Sequence, residues 1–223
     1  MKEILYYTDN TLDGTLLNEE NKSNILLAGL SIVSVSLKPI DFGKNIVFYG
    51  KRGHSTLYKQ ILLALVNSKA DYVFFCEHDV LYHPSHFDFV PPKDDVYYYN
   101  GNIWKHRLRD KKTIGYDCKW LSQLCANREL LITHYKKRLQ MIEEGKKAWG
   151  FEPGTGQSRR VDKVKAESWY SEYPCIDIRH GKNATGTKRM SPDEFNDKKN
   201  CQNWRETDFN ELDYWKEILC KLQ

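Results

Sequence analysis

Two carboxylates with a histidine between them, Glu77-His78-Asp79, close the apolar run Tyr72-Val73-Phe74-Phe75-Cys76. The run has the length and the β-branched and aromatic content of a strand covered on both faces. Residues two apart in extended chain leave on the same side, so Glu77 and Asp79 can converge on one cation. Hard oxygen ligands suit Mg²⁺ or Mn²⁺, which keeps positions open for the phosphate oxygens of a diphosphate. In open α/β sheets the carboxyl ends of strands are where ligands bind. The competing reading is a plain polar strand end.

The elements that must position these acids follow from periodicity. Residues 55–68 carry apolar side chains at helical spacing, with Ser55 or Thr56 as N-cap, and lead into the strand through Lys69-Ala70-Asp71. A first strand, Glu3 to Tyr7, runs into Thr8-Asp9-Asn10. Residues 21–30 read as a helix, 31–37 as a strand closed by Lys38-Pro39, and 46–49 as a further short strand. The basic turn Gly50-Lys51-Arg52-Gly53-His54 reads as a connection, though such a turn can approach phosphate. Residues 84–89 read as a helical turn and 96–99 as a strand. A helix is predicted from Asn127 to Glu144 with Gly145 as C-cap, a short strand over Ile176-Asp177-Ile178, a capped turn at Ser191, and an amphipathic helix over 209–222.

The order of helix, strand and acidic triplet resembles the glycosyltransferases of the GT-A fold, whose Asp-x-Asp motif ends such a strand; here the triplet has Glu77 in place of the first Asp. The resemblance implies an α/β, Rossmann-like fold with a mixed, mainly parallel sheet flanked by helices. Residues 1–190 would form the nucleotide-sugar-binding and catalytic domain, and 191–223 a C-terminal helical extension. It implies Asp79 as a direct metal ligand and catalytic residue, Glu77 reaching ribose or a metal-bound water, and His180, after the Ile-Asp-Ile strand, completing the site. Arg179, Lys182 and Lys188 could neutralise a leaving diphosphate. Tyr7, Thr8, Asp9 and Asn10 would seat the base and ribose. Asn102 would bond acceptor hydroxyls and Trp104 would stack on a sugar ring, a role that competes with packing in the core. In an inverting enzyme a late acid takes the acceptor's proton, and Glu152, set between aromatic residues and a glycine-rich turn, is the candidate. Glu167 and Glu172 are its rivals, and a retaining enzyme would need none of the three as base.

Composition fits one α/β domain of 223 residues. Six cysteines without a Cys-x-x-Cys pair point neither to a disulfide framework nor to a zinc site. No apolar run approaches about 18 residues and no signal peptide precedes the first strand, so a soluble, cytoplasmic protein without a membrane span is expected. The sequons at Asn21 and Asn183 then carry no weight. Basic runs at 105–112 and 158–163 read as solvated loops, with a polyanionic acceptor such as modified DNA or a phosphorylated glycan as the sharper alternative; a net charge of +4 is too small to imply nucleic acid by itself. The reading is a metal-dependent glycosyltransferase moving a sugar from a nucleotide diphosphate to a hydroxyl. Its alternatives are a nucleotidyltransferase acting on a sugar phosphate and a non-catalytic nucleotide-sugar or glycan binder.

Overall fold

The computed structural model describes residues 1–148, 150, 152–183 and 189–222. In chain order the first elements are β1 (Lys2–Thr8), α1 (Leu16–Leu26), β2 (Ser31–Ser36), β3 (Lys44–Val47), α2 (His54–Asn67) and β4 (Tyr72–Glu77). After them come β5 (Val80–Leu81), β6 (Val96–Asn100), β7 (Ile103–Arg107), β8 (Lys112–Gly115), β9 (Leu124–Asn127) and α3 (Arg128–Glu143). The last are β10 (Lys165–Trp169), β11 (Cys175–Arg179), β12 (Arg205–Thr207) and α4 (Lys216–Lys221).

A seven-stranded sheet runs β10-β6-β9-β4-β1-β2-β3. Only β9 is antiparallel to its neighbours β4 and β6; the remaining pairs are parallel. This is the mixed, mainly parallel sheet flanked by helices that the sequence implies. Its strands are apolar on both faces because both are covered. Leu5, Val73 and Phe75 pack with Ile61 and Leu65 of α2 and Leu131 and Tyr135 of α3. Ile4, Phe74 and Cys76 face the other way, toward Ile25, Ile32 and Phe42.

A second sheet, β12-β8-β7-β11-β5, was not foreseen. Its shortest strands have two and three residues, too few for a periodic pattern to show. It crosses the first sheet's chain order at one point that matters: β5 follows Asp79 directly and pairs with β11, Val80 opposite Asp177.

Several boundaries differ from the sequence reading, each for a physical reason. Helix α1 begins at Leu16, where Thr15 Oγ1 accepts from Asn18 N at 3.3 Å, and ends before Gly29, whose φ of 64° suits the left-handed region. Its buried face carries Asn18, Asn21 and Asn24 alongside Leu17 and Ile25, which hides the apolar stripe. Asn21 is fully buried and donates to Glu77 O at 3.0 Å and to Val80 O, so a side chain of α1 pins the acidic turn. Helix α2 is capped by Gly53 without a side-chain bond, not by Ser55 or Thr56.

The basic run from Lys105 is not a solvated loop. Lys105, His106 and Arg107 lie in β7 and are buried, with His106 Nδ1 2.8 Å from Thr113 Oγ1 and Arg107 Nε donating to Asp110 at 2.8 Å. Long cationic side chains bury their stems where the head finds a partner. The helix expected over 209–222 shrinks to a 3₁₀ turn, Phe209–Glu211, and α4. The rest of that tail is tied down in other ways: β12 pairs with β8, and the fully buried Trp215 packs with Leu219 against Ile176 and Ile178. Among the described residues no helix is long and apolar enough to cross a membrane.

Candidate functional site

Strands β1 and β4 run parallel with Tyr7 opposite Glu77, so their carboxyl ends open at the same edge. There a cleft of about 310 Å³ is lined by Tyr7, Thr8 and Asp9 from β1 and its exit, by the start of α2, and by Glu77, His78 and Asp79. That volume is at the lower end of the range for small-molecule sites. Gln60 of α2 donates to Thr8 O at 3.0 Å and Val35 O at 3.3 Å, fixing the helix against the strand ends.

The three residues of the triplet have different partners. Glu77 accepts from Tyr7 Oη at 2.9 Å, and its backbone N–H donates to Tyr82 Oη at 2.9 Å. His78 Nδ1 is 2.6 Å from Thr8 Oγ1. Asp79 accepts from Asn183 Nδ2 at 2.8 Å through Oδ2, and the same atom lies 3.7 Å from His180 Nε2. Burial raises the Glu77 carboxyl, and the neighbouring Asp79 charge raises it further. Burial also works against an ionised Asp79, but His180, His78 and Arg179 together outweigh it and hold this carboxyl down. Two buried acids side by side cannot both ionise cheaply, so the charge settles on Asp79.

The carbonyl of Asp79 accepts from Ile178 N at 2.9 Å, which brings β11 and the loop after it to the triplet. In that loop Asn183 is the hub. Besides Asp79 it bonds Ile178 O at 3.1 Å, and its Oδ1 accepts from His180 N at 2.7 Å. Sequence reasoning met Asn183 only as a sequon. Among the described residues the buried His180 Nε2 has no hydrogen-bond partner. A buried ring nitrogen left without a partner and aimed at an ionised carboxylate fits a cation between the two. Among the described residues no group of three or more His, Cys, Asp or Glu is placed to hold a metal ion. Mg²⁺ and Mn²⁺ commonly take one or two protein ligands with the remainder from phosphate oxygens and water, so the pair Asp79 and His180 suits such an ion.

The other expected residues divide between the cleft and the scaffold. Tyr7 lines the cleft and donates to Glu77, while its ring packs in the core, edge-on to Phe75 at 5.9 Å. Asp9 accepts from Thr11 N and Oγ1 and from Arg52 Nε. Asn10, at φ 62°, does not line the cleft; its Oδ1 accepts from Leu37 N at 2.7 Å and Lys38 N at 2.9 Å. Lys182 reaches Thr11 O at 3.4 Å, and its carbonyl accepts from Arg52 at 2.6 Å. Arg52, read from sequence as part of a connection, therefore ties Asp9 to the loop that carries His180. Arg179 donates to Asp177 at 2.5 Å. Lys188 lies outside the described residues.

Trp104 and Asn102 are not brought to the cleft. Trp104 leaves β7 on the face that packs with the C-terminal segment, under the Arg205 guanidinium at 4.8 Å. Asn102 donates to Ser171 O at 2.8 Å. Glu152 also stands apart from the cleft lining. Its aromatic neighbours in sequence, Trp149 and Phe151, lie outside the described residues. Tyr99 Oη holds the turn by donating to Pro153 O at 2.7 Å, and Gly154 has φ 74° where a Cβ would meet the Tyr97 ring at 2.8 Å. Burial pushes the Glu152 carboxyl up to about 7, against the lowering pull of Arg138.

No protein-family model matches this sequence, and no curated protein matches it. Solved structures of similar fold include a glycosyltransferase involved in glycosylation of the major capsid of PBCV-1, at 9% identity and TM-score 0.49, covering 79% of this chain and 92% of that one. The inositol-1-phosphate CTP transferase from T. maritima is 11% identical at TM-score 0.47, covering 100% of this chain and 96% of that one. A nucleotidyl transferase from Methanothermobacter thermautotroptrophicus is 12% identical at TM-score 0.46, covering 78% and 88%. Likenesses this loose carry no argument about activity, which has to rest on the residues.

Proposed function

We propose that the chain is a metal-dependent glycosyltransferase that takes a sugar from a nucleoside diphosphate and passes it to a hydroxyl. The observation that carries this reading is Asp79 facing His180 Nε2 across 3.7 Å, a nitrogen with no hydrogen-bond partner among the described residues, beside the cleft at the ends of β1 and β4. Asp79 and His180 would hold Mg²⁺ or Mn²⁺, which when bound would offset the charge developing on a leaving diphosphate. Glu77, whose carboxyl is raised by burial and by the neighbouring Asp79, accepts from Tyr7 and lines the same cleft. Thr8, Asp9 and Arg52 supply polar groups for the nucleotide along the cleft wall. Lys182 and Arg179 add positive charge near the same loop. Glu152, whose carboxyl burial pushes up to about 7, is the candidate base, and since it does not line the cleft the acceptor must span from the donor to its turn.

Product identity tests the reading. Incubation with UDP-, GDP-, ADP- and dTDP-sugars plus Mn²⁺ should release one nucleoside diphosphate, and Asp79→Ala should abolish the release. Pyrophosphate formed from a nucleoside triphosphate and a sugar phosphate would replace the reading with nucleotidyl transfer. Nucleotide-sugar binding that is unchanged in Asp79→Ala, with no product, would make the protein a binder.

A further inference from the structure

The loop that carries His180 is fastened by a residue that the reaction described so far does not use. Asn183 bonds partners from three places in the chain. Its Nδ2 donates to Asp79 Oδ2 at 2.8 Å and to Ile178 O at 3.1 Å, and its Oδ1 accepts from His180 N at 2.7 Å. An amide nitrogen has two N–H donors, and here both are engaged. The neighbours fix which end is which. Turned over, the amide would set its oxygen against the Ile178 carbonyl and the Asp79 carboxylate, and its N–H groups against the His180 N–H.

This joint determines what the site can offer a cation. Ile178 N donates to Asp79 O at 2.9 Å, so Asp79 is held at its backbone by β11 and at its side chain by the loop that follows. A carboxylate oxygen has two lone pairs. With one on Asn183, Oδ2 keeps the other for an ion beside His180, whose Nε2 lies 3.7 Å away. Asn183 turns its N–H₂ end to Asp79, and donors cannot ligate a metal. Glu77, the other acid at the strand end, accepts from Tyr7 at 2.9 Å, and among the described residues no group of three His, Cys, Asp or Glu is placed to hold a metal. An aspartate at position 183 would keep the bond from His180 N and add an oxygen beside Asp79. The sequence has the amide instead.

Mg²⁺ and Mn²⁺ keep their waters unless phosphate oxygens and one or two carboxylates replace them. Resting on the transferase reading above, we propose that Asn183 is a positioning residue that makes metal binding conditional on the nucleotide: it sets Asp79 and His180 for the ion and withholds a third protein ligand, so that the diphosphate must supply the rest.

The test follows Mn²⁺ binding to the full chain by electron paramagnetic resonance, with and without UDP, GDP, ADP or dTDP. Wild type should bind Mn²⁺ at least about tenfold more tightly beside one of these nucleotides than alone. Asn183→Ala should lose about 10- to 100-fold in Mn²⁺ affinity beside that nucleotide, the range for an outer partner of a ligand. Asn183→Asp should gain about tenfold or more in affinity for Mn²⁺ alone, a gain that a merely structural role for Asn183 would not produce. Wild type that binds Mn²⁺ equally without nucleotide, unchanged affinity in Asn183→Ala, or no gain in folded Asn183→Asp would overturn the inference; the wild-type comparison decides the matter where a variant fails to fold. Nucleotide-independent Mn²⁺ binding by wild type removes this role of Asn183 and leaves the transferase standing. The gain in Asn183→Asp, in a chain that releases no nucleoside diphosphate from any sugar donor, keeps the role of Asn183 and removes the transferase alone.

Discussion

The two sides of the site are built on opposite principles. At the end of β4 nearly every charge is answered: Tyr7 bonds Glu77, Asn183 bonds Asp79, and Arg52 bonds Asp9. Around β7 and the 152–154 turn, Lys105 donates to the phenol of Tyr116 and lies over two rings, and burial pushes Glu152 up to about 7. The first arrangement is a framework already assembled, with His180 Nε2 left without a hydrogen-bond partner among the described residues. The second pays a desolvation cost that a substrate group could relieve. An enzyme that must seat one substrate firmly and discharge a proton from another would differ in this way between its halves.

Breaking the assembled side should have the largest effect. Asp79→Ala removes the ionised ligand, and transfer rates measured under saturating donor should fall by roughly 10³-fold or more. A drop below tenfold would show that this side is scaffold. On the under-partnered side, Glu152→Gln should lower kcat by about 10²- to 10⁴-fold. The pH profile sharpens this. Below about 7 Glu152 holds its proton and cannot accept another, so kcat should rise with pH through about 7, and the Gln variant should lack that limb. Stability runs the other way. The folded protein keeps a proton on Glu152 that the unfolded chain releases near 4.5, so this group's contribution falls as pH rises from there through about 7. Thermal melts of wild type and Glu152→Gln across that window check the sign.

His180→Ala removes a proposed ligand and should weaken Mn²⁺ affinity in the presence of nucleotide by at least about 10- to 100-fold, the range for losing only an outer partner of a ligand. Arg52→Ala should do least. Its ion pair with Asp9 is partly exposed, and such pairs are worth about 0.2–1 kcal/mol, so the donor KM should rise by no more than about fivefold.

The same contrast governs what could be read from the sequence. Strands β1, β2 and β4 were legible because sheets covered on both faces write continuous apolar runs. Helix α3 was legible because Asn127 caps it, accepting from Glu129 N at 2.9 Å, and Gly145 at φ 70° ends it. Helix α1 was misplaced because its buried face is partly asparagine, and the reason, a bond from Asn21 to Glu77 O, is visible only in three dimensions. The second sheet was hidden because its pairs join distant segments through strands of a few residues, and because Lys105, Arg107, Asp177 and Arg179 on one face break the apolar pattern. For the same reason Lys105 passed for a loop residue. The approach of His180 to Asp79 was suggested by family resemblance, and no spacing rule would have found Asn183 between them.

The most direct test of the account is calorimetric titration of nucleoside diphosphates into the protein with and without Mn²⁺, on wild type and on Asp79→Asn. One nucleotide should bind wild type in the micromolar range only when Mn²⁺ is present, and Asp79→Asn should lose the metal-dependent part. Equal binding with and without metal, or a metal effect that survives in Asp79→Asn, would contradict the assignment of Asp79 and His180.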